Sequence, residues 1–125
     1  MYRLQVKTHF DAAHYIKDYP GKCSRMHGHR WEVEVVLEGE RLDRMNMLVD
    51  FVEVKRMLDE LLDTQLDHYL LNETLGEKNV TAEFLAEWLF KRIFYSSTYA
   101  EIPAKLTRVT VWESPDCCVK YFGEE

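Results

Sequence analysis

The strongest constraint on the fold is the alternation of apolar and polar residues at the start of the chain. In residues 2–11, Tyr, Leu, Val, Thr and Phe alternate with Arg, Gln, Lys, His and Asp, and a second alternating run covers residues 31–38. Successive side chains of a strand point to opposite faces, so each run predicts a strand with one buried face and one solvated face. A polar loop containing Pro20 and Gly21 separates the runs and predicts a hairpin.

The middle of the chain has helical periodicity instead. After Asp50, a favourable helix cap, apolar residues recur at helical spacing through residue 62, and a second such segment begins at Thr81. Two further short strands, residues 106–113 and 117–122, follow with a Ser-Pro-Asp turn between them. The order ββααββ predicts an α+β fold with a four-stranded antiparallel sheet and both helices on one face.

Such a sheet has two open edges and one uncovered face. Proteins close exposed edges by covering, charging or pairing them. Pairing between subunits into a closed barrel would remove these edges, so we expect a homo-oligomer. The length of 125 residues suits a single domain, residues 1–125.

Charge and composition argue against several classes of protein. A formal net charge of −6 disfavours general nucleic-acid binding, which depends on many Lys and Arg contacts with phosphates. Apolar runs are only a few residues long and the first residues have no signal-peptide pattern, which predicts a cytoplasmic protein without a membrane segment. The three cysteines form a poor disulfide framework and are expected to be free thiols.

The stretch "CSRMHGHRW", residues 23–31, has the residues of a metal site. His27 and His29 are two apart in an extended segment, so both side chains point to one side, and His14 lies opposite if the hairpin forms. Three histidines leave a fourth tetrahedral position open, as in catalytic zinc sites. Cys23 could instead be a fourth ligand of a structural site. Spacing leaves this open, since cationic neighbours such as Lys22 would also stabilise a free thiolate.

Six blocks along the chain resemble the 6-pyruvoyltetrahydropterin synthase family and occur in the order of that family. They are "FDAAH" (10–14), "CSRMHGH" (23–29), "LVDF" (48–51), "LDHYLLN" (66–72), "NVTAEFLAEW" (79–88) and "WES" (112–114). Three residues between Cys23 and the HGH sequence are similar to the bacterial branch that makes 6-carboxytetrahydropterin in queuosine (7-deazaguanine) biosynthesis. One departure is Val80, where the family usually has proline.

The resemblance implies a T-fold, in which trimers form a barrel and stack as a homohexamer. It also implies that His14, His27 and His29 bind Zn²⁺. The implied substrate is 7,8-dihydroneopterin triphosphate, and the implied products are 6-carboxy-5,6,7,8-tetrahydropterin, acetaldehyde and triphosphate.

The resemblance implies a role for four further residues. Cys23 is the catalytic base, Asp67 and His68 form a proton-transferring pair, and Glu113 binds the pterin. The cationic side chains of Lys22 and Arg25 are candidates to receive the triphosphate.

Three alternatives remain at this point. A 6-pyruvoyltetrahydropterin synthase would eliminate triphosphate from the same substrate. A cupin-like protein would bind iron through the two histidines of HGH and Glu32. A non-enzymatic assembly would use Cys23 as a fourth zinc ligand.

Overall fold

Four strands form one antiparallel sheet in the order β1-β2-β3-β4 in the computed structural model, which describes residues 1–123. The strands are β1 (Tyr2–His14), β2 (His27–Gly39), β3 (Lys105–Ser114) and β4 (Cys117–Tyr121). The predicted hairpin is confirmed, because β1 and β2 pair over their whole length, from Tyr2 opposite Gly39 to His14 opposite His27. The predicted α+β fold with a four-stranded antiparallel sheet is confirmed as well.

Two long helices start where the caps predicted. The helices are α1 (Phe51–Gln65), α2 (Leu71–Thr74), α3 (Ala82–Phe94) and α4 (Ser97–Ala100). The Asp50 carboxylate accepts the Val52 N–H at 2.9 Å, and the Thr81 hydroxyl accepts the Phe84 N–H at 3.1 Å. The single-turn helices α2 and α4 were not predicted. No helix within the described range is both long and apolar enough to span a bilayer.

Both long helices pack on the same face of the sheet, α1 against β1 and α3 against β3 and β4. Their fully or almost fully buried side chains include Val54, Leu58, Leu62, Leu85, Leu89 and Ile93. They cover the apolar face of the strands, where Phe10, Trp31 and Val33 are buried. Each such side chain contributes about 1.5–3 kcal/mol of transfer free energy. This packing fixes the ends of β1 and β2, from which the three histidines project.

The outer edge of β1 is not fully open, contrary to the prediction of two open edges. The segment 67–70 runs along the last residues of this strand. There the His68 N–H donates to the Asp11 carbonyl at 2.6 Å, and the Ala13 N–H donates to the Tyr69 carbonyl at 3.2 Å. Ala13 and Leu70 form an isolated parallel bridge. The connection between α1 and α2 therefore covers this edge, a contact that only the folded chain creates.

Candidate metal centre and active site

The sheet register brings the three predicted histidines together. His14 pairs with His27 and Ala12 with His29, so all three imidazoles project from the helix-covered face at one end of the sheet. One ring nitrogen of each lies within 4.8 Å of the others. His14 is fully buried, while His27 and His29 are half-buried. The cluster can hold a metal ion, because three imidazoles on neighbouring strands supply three nitrogen ligands.

Hydrogen bonds orient two of the rings. The Nδ1 atom of His14 lies 2.6 Å from the Val80 carbonyl oxygen, and the Nδ1 atom of His27 lies 2.7 Å from the Arg25 carbonyl oxygen. A carbonyl can only accept, so each Nδ1 carries the proton and donates it, which leaves a lone pair on Nε2. Backbone carbonyls in this role are common partners of metal-binding histidines. The partner at position 80 is the main chain, so the valine found there can support His14 as proline would.

Two ring nitrogens of the cluster have no hydrogen-bond partner in the described part of the chain. The Nε2 atoms of His14 and His29 are buried and form no hydrogen bond with any residue from 1 to 123. A buried polar atom left unpaired costs about 1–3 kcal/mol, so this arrangement is unfavourable unless something binds there. A metal ion satisfies both lone pairs, and the donor set therefore fits a metal such as zinc.

Burial also keeps the histidines in their metal-binding form. Desolvation lowers the pKa of His14, and it lowers the pKa of His29 for the same reason. The neutral imidazole is the form that binds metal. Trp31 contributes to this dry environment, because its ring centroid lies 4.8 Å from that of His14 and 5.3 Å from that of His29.

Glu113 faces the same cluster from the end of β3. One carboxylate oxygen lies 3.9 Å from Nε2 of His14, and the other lies 3.9 Å from Nε2 of His29. The register between β3 and β4 shifts between Trp112 and Ser114, the residues on either side of Glu113. Irregularities of this kind re-aim a side chain. The structure thus brings Glu113, a predicted substrate-binding residue, to the histidines.

Cys23 lies in a 3₁₀ turn (Lys22–Ser24) in the loop that connects β1 to β2, and it is half-buried. Its carbonyl accepts the Ile16 N–H at 2.7 Å, which ties this loop to the end of β1. Within residues 1–123, the group of clustered metal-binding atoms consists of the three histidines and does not include this thiol. This placement favours Cys23 as a thiol that does not bind the metal over Cys23 as a fourth metal ligand.

Asp67 and His68 form a hydrogen-bonded pair. The His68 Nδ1 lies 2.8 Å from the Asp67 carboxylate, whose other oxygen accepts the Asp11 N–H at 2.9 Å. That backbone hydrogen bond is the main reason that the pKa of Asp67 is lowered. The backbone of His68 adopts φ +65°, which is uncommon for a residue with a side chain. Its side chain is 79% exposed.

Within residues 1–123, Asp67 and His68 are not members of the group of clustered ligand atoms, which the three histidines form. His68 lines a shallow cleft together with Asp11, Arg30 and His29, so this cleft reaches one histidine of the cluster. By strand alternation, Asp11 and Arg30 project from the face of the sheet opposite to His27 and His29. The pair is therefore held at the outer edge of β1.

Glu32 and Cys23 were the residues on which two of the alternatives depended. Glu32 alternates with Trp31 on β2, so it projects from the face opposite to the histidines, where it pairs with Lys7 at 2.7 Å. This position gives a cupin-like iron site no support.

Sequence patterns missed the hydrogen-bond partners of His14 and His27, because a backbone carbonyl can come from any residue type.

Comparison with known proteins gives matches along nearly the whole chain. A profile described as 6-pyruvoyl tetrahydropterin synthase matches residues 3–124. A 6-carboxy-5,6,7,8-tetrahydropterin synthase of Synechocystis is 34% identical, with 98% of this chain and 95% of that protein covered. A dihydroneopterin monophosphate aldolase of Pyrococcus furiosus is also 34% identical, with 89% of each chain covered. The structure of Caenorhabditis elegans 6-pyruvoyl tetrahydropterin synthase superimposes with a TM-score of 0.80 at 25% identity, covering 98% of this chain and 96% of that one.

Proposed function

Because the chain belongs to the 6-pyruvoyl tetrahydropterin synthase family, we propose that it converts 7,8-dihydroneopterin triphosphate and one water to 6-carboxy-5,6,7,8-tetrahydropterin with release of acetaldehyde and triphosphate. The observation that carries this proposal is the cluster of His14, His27 and His29, in which two buried Nε2 atoms have no partner among residues 1–123. The name of the Synechocystis relative and the three-residue spacer before HGH favour the carboxy reaction. The pathway would be queuosine biosynthesis.

We propose zinc as the metal, held by the three histidines. Three nitrogen ligands with an open position are typical of catalytic zinc, and the tautomers of His14 and His27 leave Nε2 of each free to bind it. When bound, zinc supplies Lewis-acid polarisation of the substrate side-chain oxygens, which makes the neighbouring C–H bonds more acidic.

Glu113 would orient the pterin. Its carboxylate offers two acceptors, which match the ring N3–H and 2-amino donors of a pterin in a planar, bidentate contact. The carboxylate lies beside His14 and His29, so a pterin bound there has its side chain close to the metal.

Cys23 would remove the proton that the polarised C–H bond releases. The thiol stands outside the metal-binding group but in the loop that leads directly into His27, so it is close in sequence to the ligands without being one of them. Lys22 and Arg25 flank it and are candidates for contact with the triphosphate.

Asp67 and His68 would transfer protons to and from the substrate side chain. Asp67 holds its charge because the Asp11 N–H is bonded to it, and the hydrogen bond to Nδ1 fixes the His68 tautomer. General acid–base groups of this kind contribute about 10²–10⁴-fold in rate. We propose a homohexamer in which subunits share sites, since this pair lies at the outer edge of β1 and, among residues 1–123, is not part of the ligand group that the three histidines of its own subunit form.

Product identification tests the proposal and separates it from the related activities. Zinc-loaded protein would be incubated with 7,8-dihydroneopterin triphosphate, and the pterin product identified by mass spectrometry. A 6-carboxy product with acetaldehyde supports the proposal. Accumulation of a 6-pyruvoyl product without acetaldehyde refutes it in favour of pyruvoyl synthase. The aldolase activity named for the Pyrococcus furiosus relative would show as cleavage of dihydroneopterin monophosphate.

A further inference from the structure

Pterin binding alone does not explain the position of Glu113 relative to the Nε2 atoms of His14 and His29, which have no hydrogen-bond partner among residues 1–123. Each of its two oxygens lies 3.9 Å from a different Nε2 atom. Direct N–H···O hydrogen bonds measure about 2.7–3.2 Å, so 3.9 Å is too long for one. These imidazoles are also the basic groups that Glu113 faces within the described part of the chain.

The two atoms that face each other across the His14–Glu113 contact are both acceptors. His14 donates through Nδ1 to the Val80 carbonyl, which leaves Nε2 with a lone pair, and a carboxylate oxygen accepts without donating. Acceptors placed around a shared space repel one another unless a cation lies between them. A metal–nitrogen bond of about 2.0–2.1 Å and a metal–oxygen bond of about 2.0–2.2 Å together span at most about 4.3 Å. One ion can therefore touch both atoms of a 3.9 Å pair.

From this geometry we infer that Glu113 is the fourth protein ligand of the metal when no substrate is bound. The side chain is 32% exposed, so it can leave the cluster without unpacking the core. The irregular register that flanks Glu113 aims its side chain at the histidines.

This inference rests on the proposed function for its second half. A pterin that presents two N–H donors would compete for the Glu113 carboxylate and draw it from the metal. The coordination position opens only as substrate arrives, which would protect the metal from other ligands in the resting protein. Glu113 would then couple pterin recognition to metal activation.

Cobalt substitution tests the first half without substrate. Metal-free full-length protein would be loaded with Co²⁺, whose visible absorption bands respond to the number and type of ligands. We expect Glu113→Gln to change the position and intensity of these bands and to weaken zinc binding in competition with a chromophoric chelator. The expected weakening exceeds about 100-fold, because loss of groups outside the metal ligands costs about 10–100-fold.

Glu32→Gln is the matched control. It removes the same charge from the opposite face of the sheet, where Glu32 pairs with Lys7, and it should leave the cobalt bands unchanged. Glu113→Asp keeps a carboxylate and should give bands between those of the wild type and Glu113→Gln. Circular dichroism of the metal-free variants checks that each one is folded. Cobalt bands of Glu113→Gln identical to those of the wild type would overturn the inference.

Addition of 7,8-dihydroneopterin to the cobalt-loaded wild type tests the second half. The bands should shift, and no shift would overturn the coupling of pterin recognition to the metal. Failure of the proposed function has a different signature, since it appears as the wrong product or as no turnover of the triphosphate. The cobalt experiment without substrate therefore tests Glu113 as a metal ligand independently of the reaction that the protein catalyses.

Discussion

His14 donates its Nδ1–H to the backbone carbonyl of Val80 at 2.6 Å, which joins the end of β1 to the residue just before the cap of α3. The bond spans 66 residues of sequence and fixes the ring so that Nε2 faces His27 and His29. The candidate metal site thus depends on a contact between the sheet and the residue before the N-cap of α3. Its ligands come together only when the sheet and this helix pack against each other.

Replacement of His14 by alanine should abolish stoichiometric metal binding. The ring supplies one of three ligands and is the one with no exposed surface, so no solvent-facing side chain can replace it. Metal content measured by mass spectrometry after zinc loading and gel filtration should fall from one ion per subunit to about one tenth or less. His9→Ala is the control, since His9 is exposed on the other face. Full zinc content in His14→Ala would contradict the assigned ligand set.

Replacement of Cys23 by alanine should separate chemistry from metal binding. The thiol is not among the clustered ligand atoms, so the variant should keep its zinc and its assembly while turnover falls by about 10²–10⁴-fold. Zinc content, sedimentation and acetaldehyde release would be measured on the same preparation. Loss of zinc together with dissociation of the oligomer would instead identify Cys23 as a structural ligand.

Mixing two inactive variants tests whether subunits share a site. Asp67→Asn keeps an oxygen that accepts the Asp11 N–H but removes the charge beside His68, so it should fold and lose activity. If the Asp67 pair serves the histidines of another subunit, co-refolding this variant with Cys23→Ala should restore about a quarter of wild-type activity, the random-mixing value. Separate refolding followed by mixing is the control. No recovery after co-refolding would place both groups in one subunit.

The stability of the metal-free protein should depend on pH near neutrality. Burial lowers the pKa of His14 and His29 in the folded state, whereas an unfolded imidazole titrates near about 6.5. Between these values the unfolded chain binds more protons, so the free energy of unfolding falls as pH drops through that window. The contribution of the two neutral histidines to the free energy of unfolding is fully present above the pKa of the unfolded imidazole.

Urea midpoints of the chelator-treated protein at pH 7.5 and pH 5.5 measure this effect. The wild type should lose more stability between these two values than His14→Gln, which lacks one of the titrating groups. An equal or smaller loss in the wild type would contradict the assignment of a lowered histidine pKa as the cause.

Much of this architecture could be predicted because it depends on local patterns. Alternation in residues 2–11 and 31–38 gave the strands, and the parity of His27, His29 and Trp31 placed the histidines on the buried face. Asp50 and Thr81 cap their helices because the hydrogen bonds involved reach only two or three residues along the chain.

The features that escaped prediction depend on contacts between distant segments. The carbonyls that orient His14 and His27 have no side-chain signature, and the pairing of segment 67–70 with β1 joins residues more than fifty positions apart. The approach of Glu113 to the histidines depends on where β3 ends relative to β2, with an irregular register at that point. Alternation along one strand cannot fix such a relationship.

The most direct test of the central claim is the yield of acetaldehyde per triphosphate released from 7,8-dihydroneopterin triphosphate. It would be measured on zinc-loaded protein, after chelation of the metal, and after zinc is restored. A zinc site that forms 6-carboxytetrahydropterin predicts one acetaldehyde per triphosphate, loss of both after chelation, and recovery of both with zinc. Triphosphate release without acetaldehyde, or acetaldehyde release that survives removal of the metal, would contradict the account.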